Sequence, residues 1–485
     1  MKNKTNLEKK LKDCSDVVFR KLKIGPKYAY LIFIDGLVDT ASLEFHAIHE
    51  LYEYEGKDVT IATIEEQLVS IAEISKKTFI EDIVDEVVSG NTALVVDGIN
   101  EAILFEANGF ETRGITEPET ESSIRGPREG FNENLATSIA LLRRKLRTKN
   151  LKYLNRKVGT ETQTKLVVAY LDGLASQELV DEVQRRLDRI EIDGVLESGY
   201  IEELIEDNPS SLFPQIQITE RPDTVAANLL EGRVAILIDG TPFAMVMPVT
   251  FWQLFQASED YYSRFYISIF LRWVRFIFLS VAIFLPAVYI ALTTFHYEMI
   301  PTKLLFTFAA SREAIPFPAF VEAILMELAF EALREAGVRL PKTIGQAVSI
   351  LGALVIGTAA VEAGIVSAPM VIVVSLTGIA SFTIPRFNVA ISIRLLRFPM
   401  MILAAIFGLF GIIIGTVFLL THLCKLRSFG VPYLAPLAPL SVNELKDVFI
   451  RTPWWAMEKR PKHIVANNMK RESVNLKPSP DTNDN

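Results

Sequence analysis

Four long stretches without a single charged side chain lie in the second half of this 485-residue chain. They are Phe276–Phe295, Thr343–Val361, Ala363–Pro385 and Phe398–Thr421. A helix of about 20 apolar residues is long enough to cross the ~30 Å hydrocarbon layer of a bilayer. Because a soluble core seldom needs four such stretches in one half of a chain, the sequence predicts an α-helical transmembrane bundle.

The first 250 residues have the opposite character and are rich in Asp, Glu, Lys and Arg. The N-terminal residues carry charge but no apolar stretch follows them, so they do not form a signal peptide, and we expect this half on the cytoplasmic side. The net charge of −8 argues against nucleic acid as a partner, because phosphate binding needs dense basic patches.

The sequence also gives little support for an enzyme or a metal site. Its two cysteines, Cys14 and Cys424, are too few and too far apart for a disulfide framework or a thiolate site. The five histidines show no metal-binding spacing, and no nucleophile, phosphate loop or acid–base pair stands out. We therefore expect no catalysis, no metal and no cofactor.

The charged half contains an internal repeat. Tyr30–Asp39 (YLIFIDGLVD) resembles Leu166–Ser176 (LVVAYLDGLAS), and a second Asp-Gly turn between apolar runs follows Gly90 and again Gly232. Asp-Gly between β-type runs is a strong hairpin signal. The fold class predicted is therefore an α/β soluble half of two related subdomains, each a mixed sheet covered by helices, followed by the transmembrane bundle. Turn chemistry explains the four aspartates better than catalysis does: Asp35, Asp97, Asp172 and Asp239.

Composition and pattern together predict seven segments. They are a flexible N-terminal arm (1–24), a first α/β subdomain (25–110), a charged linker and helix (111–159), a second α/β subdomain (160–250), a transmembrane helical domain (251–424), a proline-rich docked segment (425–460) and a disordered tail (461–485). Basic residues beside the apolar stretches leave four or five crossings open. Four crossings would keep the basic tail on the cytoplasmic side, and we favour that side.

The stretch Phe317–Gly337 is amphipathic. Glu327, Glu331 and Glu335 recur every four residues and share one face of a helix. The stretch is either an interfacial helix or a membrane helix whose acidic face lines water.

Small residues recur at helical spacing from Ser349 to Gly364. They indicate either close helix packing or a pore-lining helix in which Glu362 attracts cations at one mouth. The candidate pore-lining residues are Ser349, Gly352, Ala353, Val355, Ile356 and Glu362.

Several long blocks in this chain resemble the A subunits of GerA-type spore germination receptors. They are Arg125–Arg147 (RGPREGFNENLATSIALLRRKLR), Leu237–Phe265, Phe317–Val374 and Phe429–Pro439 (FGVPYLAPLAP). The resemblance runs from about Tyr30 to Pro439, which is most of the chain.

This resemblance implies a multi-pass membrane subunit of a nutrient receptor in the spore inner membrane. It also implies a transporter-like B subunit and a lipoprotein C subunit as partners. The A subunit is then expected to form a homo-oligomeric ring in the lipid bilayer and to act as a ligand-gated cation channel. A secondary transporter, or a non-conducting scaffold that relays a signal, is the alternative; a transporter would show an inverted repeat, which the apolar half does not display.

Overall fold

The computed structural model describes residues 2–56, 59–71, 74–107, 109, 117–121, 123–341, 352, 354, 357–442, 444–465, 468–473 and 476–478. Ten strands form two five-stranded sheets in the first half. The first sheet contains β1 Val17–Ile24, β2 Lys27–Ile34, β3 Ile74–Lys77, β4 Thr92–Val96 and β5 Ala102–Phe105. The second sheet contains β6 Leu151–Val158, β7 Thr164–Leu171, β8 Gln217–Thr219, β9 Val234–Ile238 and β10 Ala244–Met247.

Both sheets have the same strand order. It is β1-β2-β4-β5-β3 in the first and β6-β7-β9-β10-β8 in the second, and every neighbouring pair is antiparallel. The repeat in the sequence therefore corresponds to a repeat in the fold. The expected mixed sheet is wrong, because hairpins join the paired strands and the remaining edge strand also runs antiparallel to its neighbour.

The four Asp-Gly turns have the predicted geometry. The glycines Gly36, Gly98, Gly173 and Gly240 have φ between 81° and 88°, a region that glycine enters at little steric cost. The N–H of Asp97 donates to Tyr28 O, and that of Asp239 donates to Lys165 O, at matching positions of the two repeats. These aspartates therefore end strands.

Six helices of eight or more residues pack around the two sheets. They are α1 Lys2–Lys10, α2 Ile80–Val88, α3 Leu135–Lys145, α4 Gln177–Asp188, α5 Ser198–Ile205 and α6 Pro222–Leu229. Residues 40–53 form a further helical stretch with one π turn. The carboxamide of Asn134 accepts from the N–H groups of Ala136 and Thr137 and so caps α3.

Two predicted terminal segments are more ordered than expected. The arm 1–24 was expected to be flexible, but it contains α1 and the whole of β1, and Leu7 is fully buried. The tail 461–485 was expected to be disordered, but Ile464 and Val465 are buried, and Val465 pairs with Ala175. The buried residues Leu7, Ile464 and Val465 are isolated apolar side chains in charged segments. The average composition of a segment does not reveal such residues, so both ends were predicted to lack order.

The second half is helical. Its elements are α7 Phe265–Thr294, α8 Thr302–Arg312, α9 Ala319–Arg339, α10 Ala368–Phe382, α11 Phe387–Phe407 and α12 Leu409–Lys425, and residues 357–362 are also helical. Among the residues described, α7 and α11 are long and apolar enough to cross a membrane, while α10 and α12 are apolar but shorter. This bundle presents large apolar side chains at its outer surface, among them Phe270, Ile277, Ile372, Ile379, Ile402, Phe410 and Phe418.

The predicted single helix Phe398–Thr421 is wrong. The chain reverses at Gly408, which has φ 62° and ψ −140°, and α11 and α12 form an antiparallel helical hairpin. A Cβ added to Gly415 would lie 2.6 Å from Met400 Sδ, although the two residues are 15 positions apart. Small side chains allow the two helices to approach this closely. Hydropathy did not reveal the turn, because it is high both before and after Gly408.

The hairpin returns the chain to the α/β half. At the start of α11, Arg386 contacts Glu121, and at the end of α12 the imidazole of His422 lies 2.8 Å from Ser211 Oγ. At the opposite end of the bundle, Gly408 lies against His296.

The segment after α12 then packs on the α/β half. The Tyr433 hydroxyl donates to Pro214 O at 2.7 Å, and the Phe251 N–H donates to Tyr433 O at 2.8 Å.

Candidate functional site

The three carboxylates of the predicted acidic face lie in α9 but have three different environments. Glu327 is 1% exposed and pairs with Arg397 of α11. Glu331 pairs with Arg334 on its own helix at partial exposure. Glu335 is exposed and pairs with Arg339 one turn later. Each carboxylate thus has a guanidinium partner, and the exposure increases towards the end of the helix.

Arg397 joins three helices of the bundle. Its Nε donates to Ala282 O of α7 at 2.9 Å, and its Nη1 donates to Glu327 of α9. Both side chains of the pair are at most 2% exposed. Removing one member of a buried ion pair leaves the other charge buried without a partner, which lowers the stability of the fold by about 3–5 kcal/mol. Arg397 was not predicted as a site residue; the available signal was a pair of arginines, Arg394 and Arg397, directly before the apolar stretch Phe398–Thr421.

A second buried polar cluster lies where α9 and α10 begin. Glu322 is fully buried, its Oε2 accepts from the Ser367 N–H at 3.0 Å, and its Oε1 lies 3.3 Å from Arg312 Nε of α8. This contact brings the first turns of α9 and α10 together. Because Phe330 of α9 also lies against Gly378, the two helices run in parallel.

Of the six candidate pore residues, the structure describes Gly352 and Glu362. Ser349, Ala353, Val355 and Ile356 lie outside the described residues. Gly352 is described, and it lies against Leu333 of α9, so a Cβ there would meet that side chain. Gly352 thus makes a helix–helix contact within the chain.

Three of the helical residues 357–362 are more exposed than Gly352: Thr358, Ala359 and Glu362. The helix ends at Glu362, and Gly364 follows with φ 66°. These residues form a small, partly polar face beside otherwise apolar helices. We call the exposed set Thr358, Ala359 and Glu362 the small-residue face.

The α/β half and the helical bundle meet in an ionic network. Asp260, 1% exposed, pairs with Arg275 at 2.6 Å and with Arg272 at 3.3 Å, both in the first turns of α7. Arg272 also pairs with Asp447 of the C-terminal segment at 3.1 Å. The network therefore ties the start of the bundle to the end of the chain.

The same C-terminal segment packs on Tyr261. Asp447 accepts from the Tyr261 hydroxyl at 2.9 Å, and burial raises the pKa of the Asp447 carboxyl although Arg272 opposes this effect. Trp454 and Arg451 also lie against the Tyr261 ring. Residues 444–465 thus form a strap across the junction of the two halves, and we use that name below.

Among the described residues, no three His, Cys, Asp or Glu side chains lie close enough together to hold a metal ion.

Comparison with known proteins shows one family across almost the whole chain. Residues 5–463 match the family described as Bacillus/Clostridium GerA spore germination protein. The uncharacterized membrane protein YfkQ of Bacillus subtilis is 54% identical over 95% of this chain and 90% of its own length. Spore germination protein KA of the same species is 47% identical over 99% of this chain and 89% of its own length.

A solved structure matches the first half. The N-terminal domain of the A subunit of the Bacillus megaterium spore germinant receptor GerK3 is 35% identical and covers 51% of this chain and 94% of that domain, with a TM-score of 0.41.

Proposed function

Because the chain belongs to the GerA family of spore germination proteins, we propose that it is the membrane subunit of a nutrient receptor that triggers germination of bacterial spores. In this proposal the chain assembles with a transporter-like B subunit and a lipoprotein C subunit. Several copies form a ring that opens as a cation channel when a partner binds nutrient. The α/β half lies in the cytoplasm, which is the core of the spore.

The outer surface of the helical bundle supports insertion in a bilayer. Its large exposed apolar side chains would be costly to hydrate, and contiguous exposed apolar surface marks sites of membrane or protein contact. The YfkQ relative is itself named a membrane protein. We therefore propose a multi-pass protein of the spore inner membrane.

The contacts between helices support an even number of crossings. α7 leaves the α/β half, and α9 and α10 both begin at the far end, where Glu322 meets Ser367. The described residues from Gly352 to Glu362 then run outward, because Gly352 lies against Leu333 of α9 and Gly357 against Val371 of α10. The hairpin of α11 and α12 goes out and back. The proposed bundle therefore has six crossings in place of the four or five expected from hydropathy, and the C terminus lies beside the α/β half.

The small-residue face is the observation that carries the channel proposal. A helix inside a lipid-facing bundle gains nothing from exposing a carboxylate, because Glu362 would be costly in hydrocarbon. In a ring of subunits, this face can line a central water-filled path, and a ring of glutamates favours cations. Coupling to a partner then requires that the partner's nutrient-bound state prefer the open ring.

Flux through reconstituted receptors tests this function. Liposomes containing this chain and its B and C partners should release K⁺ when nutrient is added. We expect Ala359→Leu to reduce the flux several-fold by narrowing the path, and Glu362→Gln to lower the preference for cations over anions. Ile379→Leu is the control, because Ile379 lies on the lipid-facing surface of α10.

The outcomes separate the channel from its alternatives. Flux that saturates with the concentration of one transported solute would identify a secondary transporter. An assembled receptor that signals germination without any flux would identify a scaffold. Equal flux and equal ion preference in all three variants would contradict the role of the small-residue face.

A further inference from the structure

A cavity of about 310 Å³ lies at the junction of the two halves. Helix α5 and strand β8 form one wall, and residues 386–389 at the start of α11 form another. Residues 120 and 121 of the linker complete the boundary. None of the features used for the channel proposal lies in this cavity, so it needs a separate explanation.

Glu202 of α5 lines the cavity without a partner. Within the described residues its carboxyl makes no hydrogen bond and no ion pair, although most of the side chain is buried. Burial, and then the neighbouring carboxylates of Glu206 and Glu197, raise the pKa of Glu202 to about 8. A buried acid without a partner is costly in its ionised form, and it would gain strongly from a cation placed beside it.

The other carboxylates of the cavity are already bound. Glu197 accepts from Gly199 N at 2.7 Å and from Thr241 Oγ1 at 3.0 Å. Glu121 pairs with Arg386 and accepts from Thr219 Oγ1 at 2.7 Å. Glu202 is therefore the acid in this cavity that is available for a ligand.

Arg386 offers a complementary donor. The residue is 8% exposed and lines the same cavity, and its Nε is buried without a hydrogen-bond partner although the guanidinium pairs with Glu121. A buried donor left unsatisfied costs about 1–3 kcal/mol. An acceptor or anionic group of a ligand would satisfy it.

The rest of the wall is apolar. Phe243, Phe387 and Val389 line the cavity between these polar groups and provide contact area for a short hydrocarbon chain. A lone acid, a free guanidinium donor and an apolar wall together match a molecule with a positive end, a negative end and a short carbon chain.

We propose that this cavity binds a small zwitterion, with its ammonium group at Glu202 and its anionic group at Arg386 Nε. The ligand is either a free molecule, such as an amino carboxylate, or the ethanolamine phosphate head group of a lipid. The proposal goes beyond the channel function, because binding to the purified chain needs neither ion flux nor a partner subunit.

Binding is coupled to proton release. Glu202 is mostly protonated at pH 7, so an incoming ammonium displaces its proton and lowers its pKa. The affinity therefore rises as pH increases towards about 8, by up to about tenfold per pH unit, and is constant at higher pH while the ligand amine stays charged. Glu197, Glu206, Glu121 and Arg386 are the charged groups that share this environment.

The test uses the full chain purified in lipid nanodiscs. The probes are glycine, β-alanine and O-phosphoethanolamine, which differ in charge separation, and calorimetry measures their binding between pH 6 and pH 9. Propionate and propylamine each carry one charge of β-alanine and serve as matched half-ligands. Nanodiscs of phosphatidylglycerol alone, and nanodiscs that also contain phosphatidylethanolamine, distinguish the two sources of the ligand.

Glu202→Gln is the decisive variant, and Glu203→Gln is its control. Gln resembles the protonated Glu202 that the fold already contains, so the variant should fold. Glu203 is the exposed neighbour on the same helix, so its replacement makes the same chemical change outside the cavity. We expect Glu202→Gln to weaken binding by about tenfold or more and to remove its pH dependence, whereas Glu203→Gln changes neither.

Each result decides the proposal. Saturable binding of a free probe that depends on Glu202 identifies a free zwitterion, and competition by phosphatidylethanolamine identifies the head group. Binding of propylamine or propionate as tight as that of β-alanine would overturn the two-ended site. Absence of saturable binding by every probe in both kinds of nanodisc, or binding that ignores Glu202 and pH, would overturn the proposal as a whole and leave the channel proposal untouched.

Discussion

A buried ion pair lies between the two α/β subdomains. Arg143 of α3 is fully buried, and its guanidinium donates to both oxygens of Asp16 at 2.8 and 2.9 Å. Its third nitrogen donates to Thr148 O at 2.7 Å. Asp16 directly precedes β1, so this pair joins the first sheet to the helix that leads into the second.

We predict that Asp16→Asn lowers the free energy of unfolding by about 3–5 kcal/mol, because it leaves the Arg143 charge buried without compensation. Thermal unfolding of the purified full chain measures this loss. Glu129→Gln is the control: Glu129 pairs with Lys145 and Arg144 near the surface, and its loss should cost less than about 1 kcal/mol. Equal effects of the two variants would contradict a special role for the Asp16 pair.

Residues in local motifs were predictable from sequence, and residues in long-range pairs were not. The four turn aspartates were assigned correctly because an Asp-Gly turn is set by neighbouring residues. Asp16 and Arg143 are 127 positions apart, and the arm that contains Asp16 was expected to be flexible. Nothing in the charge pattern links two such positions, because many exposed residues carry the same charges.

Among the helices, the hairpin of α11 and α12 depends on one residue. Gly408 adopts φ 62° and ψ −140°, a backbone region that is close to glycine-only. A Cβ at this position would also lie 2.7 Å from the His296 ring. Side chains other than glycine therefore meet both backbone strain and a steric clash at the turn.

We predict that Gly408→Ala destabilises the hairpin by about 1–3 kcal/mol through backbone strain. The expected result is a lower melting temperature of the detergent-purified chain and a lower yield of assembled receptor. Gly357→Ala is the control, since a Cβ there meets Val371 at an ordinary 3.6 Å inside a helix. A Gly408→Ala chain that melts and assembles like the control would show that the reversal does not depend on this glycine.

The hairpin also shows what hydropathy can and cannot reveal about helices. The apolar stretches Phe276–Phe295 and Ala363–Pro385 correctly indicated helices α7 and α10, because apolar composition is local, whereas most of Thr343–Val361 lies outside the described residues. The stretch Phe398–Thr421 has the same composition on both sides of Gly408, so composition predicted one helix. Gly408, Gly411 and Gly415 were visible in the sequence, but a glycine inside an apolar helix is common and does not by itself mark a reversal.

At the scale of the whole molecule, the six proposed crossings would put Glu50 and Lys459 on the same side of the membrane. We predict that single cysteines at Glu50 and Lys459 are labelled from the same side of sealed vesicles, and that a cysteine at Glu298 is labelled only from the other side. All three native side chains are exposed. The background is Cys14→Ala with Cys424→Ser, which leaves no native thiol.

A five-crossing topology would give a different labelling pattern. Five crossings would place Lys459 on the same side as Glu298, so reaction of those two positions from one side would contradict the hairpin topology. The background protein without an introduced cysteine gives the baseline for labelling from each side.

The candidate site was only partly accessible from sequence. The spacing of Glu327, Glu331 and Glu335 correctly indicated a helix, since all three lie in α9. Their partners could not be derived, because Arg397 comes from a helix that is far away in the chain. The assignment of pore-lining residues stays a prediction. Of the described candidates, Gly352 packs against Leu333 and Glu362 is exposed, so the small-residue face is the better candidate for lining a pore.

The strap has a consequence for the order in which the protein is made. Pro214 and Tyr261 are synthesised before the helical bundle, whereas their partners Tyr433, Asp447 and Trp454 are synthesised after it. In the proposed topology, these contacts form only after the hairpin of α11 and α12 has crossed the bilayer and returned. A chain whose last helices fail to insert would therefore leave Tyr261 uncovered, so the strap closes only over a completed subunit.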